Sequence, residues 1–145
     1  MSGTWGRAGR FLQITETPEV TVAHNTIFQS GPAILAYGGA SPQFVFRDNI
    51  LPRGSSGVFG HGVGEGTVAL SAYFPGAVFA RNVIAGANAA QYPPNNSYPS
   101  SLTTVGFVDL VGGNYGLGPS SPYRGMATDG TDIGCDFYHL GFLMP

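Results

Sequence analysis

Lysine is missing altogether from the 145 residues, and the six basic side chains, Arg7, Arg10, Arg47, Arg53, Arg81 and Arg124, stand singly among eight acids. With a net charge of −2 and no basic cluster, the chain offers no track for a phosphate backbone, so nucleic acid is not expected as a partner. Cysteine is reduced to Cys135, which rules out an internal disulfide and any zinc-ligand spacing and reads best as a small buried residue. Apolar runs are brief: residues 32–37 and 77–80 fall far short of the roughly 20 that a bilayer helix needs, so no membrane span is expected. The first residues also lack the charged-then-apolar order of an export signal. Asp129, Asp132 and Asp136 are spaced by three and four, not at the alternate positions of a calcium loop, and read as turn formers. Gly-x-Ser-x-Gly, phosphate-loop and dinucleotide fingerprints are absent, so neither a metal nor a cofactor is expected.

What the chain does have is apolar and punctuated. Hydrophobic residues make up 43%, with 10 Phe and 7 Tyr, and 23 Gly and 11 Pro divide them into short runs. No stretch shows a helical stripe, and β-branched and aromatic residues between turn formers point to many short strands, hence an all-β chain.

A repeat organises these runs. A shift of 24 residues lays Phe11 on Leu35, Val20 on Phe44, Val22 on Phe46 and Asn25 on Asn49; a second places Phe59 and His61 under Leu35 and Tyr37. Thereafter the spacing grows to 33, carrying Phe46 to Phe79 and Asn49 to Asn82, so a 9-residue insertion is expected within 63–76. Residues 20–27 (VTVAHNTI), 44–51 (FVFRDNIL) and 77–84 (AVFARNVI) each read as a period-2 strand, a bend and another apolar strand. Sharp bends need left-handed backbone angles, which Asn tolerates, and stacked amides can bond between neighbours. Asn25, Asn49 and Asn82 are therefore expected to form a structural ladder. A unit this small cannot bury its apolar face alone, so successive units must stack in parallel about 4.8 Å apart. The implied architecture is a β-solenoid of three to four coils over residues 10–104.

These strand-bend-strand units resemble the right-handed parallel β-helices of the pectate-lyase-like superfamily. The tail is similar too: residues 105–109 (VGFVD), 113–117 (GNYGL), 121–122 (SP) and 128–134 (TDGTDIG) resemble the closing segment of bacterial exported β-helix proteins. The resemblance implies the C-terminal coils of a longer, secreted or cell-surface protein that binds or processes polysaccharide. It leaves residues 1–9, with Trp5, to cap an open first coil, or else a homo-oligomer to form through that end. Residues 105–145 would form the closing segment, and the apolar stretch 137–144 would close the far end or join an interface.

In such proteins the groove usually lies on the outer face of one sheet. Register on the 24-residue repeat puts Gln13, Tyr37 and His61 in one outward column beside Phe11, Leu35 and Phe59, with Tyr73 and Glu65 on the inserted loop and Glu16 at the matching turn. Gln13, Tyr37, Phe59 and Tyr73 are the candidate substrate-binding residues, and Glu16, His61 and Glu65 the candidate acid and base groups for glycosidic cleavage or proton abstraction. Beside the Asn ladder, His24, Asp48 and Arg81 share one position and form a charge ladder. Three functions remain open: a carbohydrate-binding module, a polysaccharide lyase or glycoside hydrolase, and a self-associating adhesive solenoid.

Overall fold

The strands are short: nine of the eleven among the described residues have three residues each. The computed structural model describes residues 9–143, and side chains through residue 140. In chain order the elements are β1 (Leu12–Ile14), β2 (Thr21–Ala23), β3 (Ile34–Ala36), β4 (Val45–Arg47), β5 (Ile50–Pro52), β6 (Val58–Gly60), β7 (Gly64–Glu65), α1 (Thr67–Tyr73), β8 (Val78–Ala80) and β9 (Val83–Ala85). Two single 3-10 turns, Ala89–Gln91 and Leu102–Thr104, lead to β10 (Phe107–Asp109), β11 (Asn114–Leu117) and α2 (Phe137–Leu143). Of the cap expected over residues 1–9, residues 1–8, Trp5 included, lie outside the described residues.

The expectation of an all-β, right-handed parallel β-helix is overturned. Among the described residues the strands form four separate small sheets, β1-β3-β6-β7, β2-β4-β8, β5-β9 and β10-β11, none of them closed or curled. Parallel and antiparallel pairs are mixed, since β6–β7 and β10–β11 run antiparallel, and helices interrupt the strands. The physical reason lies in the connections. The link from Ile14 to Thr21 is two residues shorter than that from Ala36 to Val45, and the link from Gly60 to Val78 is nine longer again. The bends at Asp48 and Arg81, between strands joined by equal links, cut the parallel ladders to three residues each.

Within those limits the parallel pairs are regular. Thr21, Val45 and Val78 lie side by side, as do Ile34 and Val58, and Ile50 and Val83. On the first strand the register corrects the sequence expectation. A 24-residue shift puts Leu12 on Ala36, whereas Ala36 pairs with Ile14, so β1 is slipped by two and Gln13 lies beside Leu35, not Tyr37. The short link after β1 causes the slip.

Alternation along the strands sends Ile34, Val58, Phe44, Phe46, Leu51 and Ile84 inward, each essentially without solvent exposure. Rings stack through this core: Phe74 on Phe44 at 4.4 Å, Phe46 on Phe79 at 5.5 Å, and Phe79 on Tyr92 at 6.2 Å. Each such buried side chain contributes about 1.5–3 kcal/mol. The inserted segment supplies the end of the stack, because α1 buries Ala69 and Leu70 and then delivers Phe74. Seven residues with two buried positions leave no legible helical stripe. Gly66 opens α1 at φ 82, and a Cβ there would meet the Gln91 carbonyl oxygen at 2.1 Å, so no other residue fits.

The asparagines interlock at the bends. Asn25 donates its backbone N–H and Nδ2 to Asn49 Oδ1 at 2.9 and 3.0 Å, and Asn49 does the same to Asn82 Oδ1, both at 3.1 Å. The second amide hydrogen goes to a carbonyl three residues before the preceding rung, from Asn49 to Val22 and from Asn82 to Phe46. The left-handed angles expected of Asn belong instead to the residue before it: His24, Asp48 and Arg81 have φ of 56, 58 and 57°. That division leaves each Asn side chain aimed inward at its neighbours while the preceding side chain is turned out.

The tail lies against the side of these layers. Ile50 and Val83 face away from the main core and join Val105, Leu117, Ala127 and Ile133 in a second one. α2 packs on β11, with Phe137 against Tyr115 at 5.9 Å.

Candidate functional site

The outer face of β1-β3-β6-β7 carries most of the residues singled out from the sequence. Because inward and outward positions alternate, Gln13, Leu35, Phe59 and Glu65 fall in one outward column across the four strands. One residue beyond the paired strands, Tyr37 and His61 follow Ala36 and Gly60, and the His61 N–H donates to the Ala36 carbonyl at 2.9 Å. Tyr37 is 38% exposed, Phe11 40%, and His61 is also open to solvent. Tyr73, the last residue of α1, donates its hydroxyl to the His61 carbonyl at 2.5 Å, so the insertion folds back over the same face. The slip of β1 thus separates Gln13 from Tyr37 and His61 and places it with Phe59 instead. Arg10 donates to Gln13 Oε1 at 3.1 Å.

The three acid and base candidates do not come together as a catalytic group. Glu16 stands exposed at a left-handed turn (φ 48°), its methylene against Gly39, where a Cβ would lie 2.6 Å from Glu16 Cγ. Glu65 is occupied: Arg53 Nε and Nη2 donate to its two oxygens at 2.9 and 2.6 Å, and the Tyr92 hydroxyl donates to Oε1 at 2.8 Å. Tyr92 in turn accepts from the buried Val58 N–H at 3.1 Å. Its hydroxyl is pushed well above the usual tyrosine value, first by burial and further by its bond to Glu65, and the Arg53 guanidinium is raised by its bond to that carboxylate. A carboxylate held by a bidentate guanidinium and a tyrosine is a structural anchor for β7. Three of its roughly four acceptor positions are filled.

The column of His24, Asp48 and Arg81 serves as a seat for the tail. Asp48, wholly buried, accepts from the Thr128 N–H and hydroxyl at 2.8 and 2.6 Å, while Arg47 Nη1 reaches its Oδ2 at 2.6 Å. His24 Nε2 lies 3.0 Å from Asp129 Oδ2, and Arg81 Nη1 reaches the Met126 carbonyl at 3.4 Å. Asp129 is held below the usual aspartate range chiefly by the Thr131 hydroxyl and N–H. Asp132 accepts from the Gly125 N–H and Asp136 from the His139 N–H, so all three carboxylates bind their own turns.

Sequence reasoning missed Arg53 and Tyr92, whose partner Glu65 lies off the 24-residue repeat. It also missed Asn96, a fourth rung that accepts from Asn82 at 2.9 and 3.0 Å. Its offset of 14 from Asn82 hides it from any search at constant spacing, although a second Asn after two prolines is a visible turn signal. No helix among the described residues is long and apolar enough to cross a membrane. No protein-family model, curated protein or solved structure matches the chain.

Proposed function

We propose that the chain is a polysaccharide-binding module, part of a larger polysaccharide-processing protein, which holds its ligand on the outer face of β1, β3 and β6 without cleaving it. The observation that carries this reading is the row of outward rings and polar groups on a rigid sheet: Phe11, Tyr37 and Phe59 interleaved with Gln13 and His61. Sugar rings present apolar faces that lie on aromatic side chains while their hydroxyls bond to neighbouring polar groups. Sequestration of Glu65 by Arg53 and Tyr92 supports binding over catalysis, because it removes one of the two carboxylates that glycosidic cleavage requires.

Affinity electrophoresis through gels containing pectin, alginate or xylan tests the proposal. Migration should be retarded by at least one polymer, and Tyr37→Ala should weaken that retardation about tenfold, equivalent to about 1.4 kcal/mol. Free migration in all three, or retardation indifferent to both Tyr37→Ala and Phe59→Ala, would overturn it. New reducing ends or unsaturated products that vanish in His61→Ala would replace it with the enzyme reading.

A further inference from the structure

A second recess lies away from that face, between the tail and residues 94–97. It has a volume of about 400 Å³, and its walls include Arg81, Pro94, Asn95, Ser97, Tyr123 and Met126. Its charge is one-sided. Among the described residues Arg81 is the only ionised one lining it, and no carboxylate lines it. Among the described residues Arg81 forms no ion pair, its one side-chain bond being the long contact to the Met126 carbonyl. Arg47, Arg53 and Arg124, by contrast, each have an acid within 4.0 Å. The acids of the tail are gathered on its other side, where His24, Asp129, Asp132 and Asp136 line a separate cleft.

We propose that the Arg81 recess binds a small organic carboxylate, its two oxygens on the guanidinium fork and its carbon body against Pro94 and Met126. A planar guanidinium matches the two oxygens of a carboxylate, and the apolar Pro94 and Met126 beside it suit a carbon body that phosphate and sulfate lack. Asn95, Ser97 and Tyr123, each with a polar side chain, line the same recess. Burial raises the Tyr123 hydroxyl above its ordinary value. The wall is also rigid before any ligand arrives. The Arg81 N–H is bonded to the Asn95 carbonyl at 2.6 Å, and the Ser97 N–H to the Asn82 carbonyl at 2.8 Å, which limits the ordering cost of binding. Backbone geometry does not call for arginine here, since φ of 57° suits Asn or Gly better. The site is independent of the saccharide-binding face and stands or falls separately.

The test is a titration of isotope-labelled protein with sodium benzoate, benzyl alcohol and sodium sulfate at constant ionic strength, followed by amide NMR shifts. Benzoate should give saturable shifts centred on Ser97, Tyr123 and Met126, with at least tenfold weaker response to benzyl alcohol and to sulfate. Arg81→Asn, which keeps a residue tolerant of the left-handed bend, should retain the remaining spectrum and lose the benzoate response; Arg81→Lys should weaken it severalfold. Absence of saturation with benzoate, an unchanged affinity in Arg81→Asn, or equal binding of benzyl alcohol or sulfate would overturn the proposal.

Discussion

At the scale of single residues, the asparagine rungs are where one side chain serves the most backbone. Asn49 is fully buried, and its amide accepts from Asn25 twice and donates to Val22 and Asn82. Removing it strands a buried carbonyl and leaves both neighbouring rungs short of a partner, at about 1–3 kcal/mol for each unsatisfied group. Asn49→Ala should therefore destabilise the chain by about 3–5 kcal/mol. Asn25→Ala should cost clearly less, because Asn25 is only partly buried and its Nδ2 also turns to the Ala23 carbonyl of its own strand. Urea unfolding with an unchanged m-value would measure both; equal losses would mean that the ladder is not their source. The spacing that brings Asn25 to Asn49 was legible in the sequence. The bend angle was not assigned correctly, since the repeat reveals that the chain turns at His24-Asn25 but not which of the two residues carries the strained φ.

At the scale of elements, β7 and the insertion depend on one polar clamp. Arg53 follows β5, Glu65 ends β7 and Tyr92 follows the first 3-10 turn, so three distant segments meet at one carboxylate. Tyr92→Phe keeps the ring stacked on Phe79 but deprives the buried Val58 N–H of its acceptor and Glu65 of a donor. The expected loss is about 1–3 kcal/mol in thermal or urea unfolding. A loss near zero would show that water replaces the hydroxyl. The position of the insertion could be read from the jump in spacing, whereas its helix could not, because only Ala69 and Leu70 within it are buried. The two-residue slip of β1 was hidden for a related reason. Phe11 and Leu35 are alike enough in type to make the wrong register look right, while the true pairing sets Gln13 beside Leu35.

At the scale of the whole molecule, the tail is joined to the layers by contacts that no local pattern announces. Thr128 meets Asp48 across 80 residues and Cys135 meets Thr26 across 109. Its turn at Asp129 should respond to acid first. The Asp129 carboxyl has a lowered pKa, chiefly from the Thr131 hydroxyl and N–H and to a lesser degree from His24, so the stability it confers is complete above the unfolded value of 3.8 and is lost as the pH falls through the lower folded value. Hydrogen exchange at the Thr128, Thr131 and Gly134 amides should accelerate over that acid range before the amides of β3 and β6 do. Simultaneous exchange of both sets would show that tail and layers open as one unit. The charge column was visible in the sequence as a stack; that it receives Met126, Thr128 and Asp129 became apparent only from the folded chain.

The outward-facing Ile50 and Val83 carry a consequence in time. Both leave the ribosome well before Val105, Leu117 and Ile133, which cover them. A nascent chain made only as far as β9 therefore presents a greasy flank whose described cover, Val105 to Ile133, has still to be synthesised. During that interval neighbouring nascent chains compete with the chain's own tail for the same surface. Yield from crowded expression should thus be governed less by the final stability of the product than by how soon its closing third arrives.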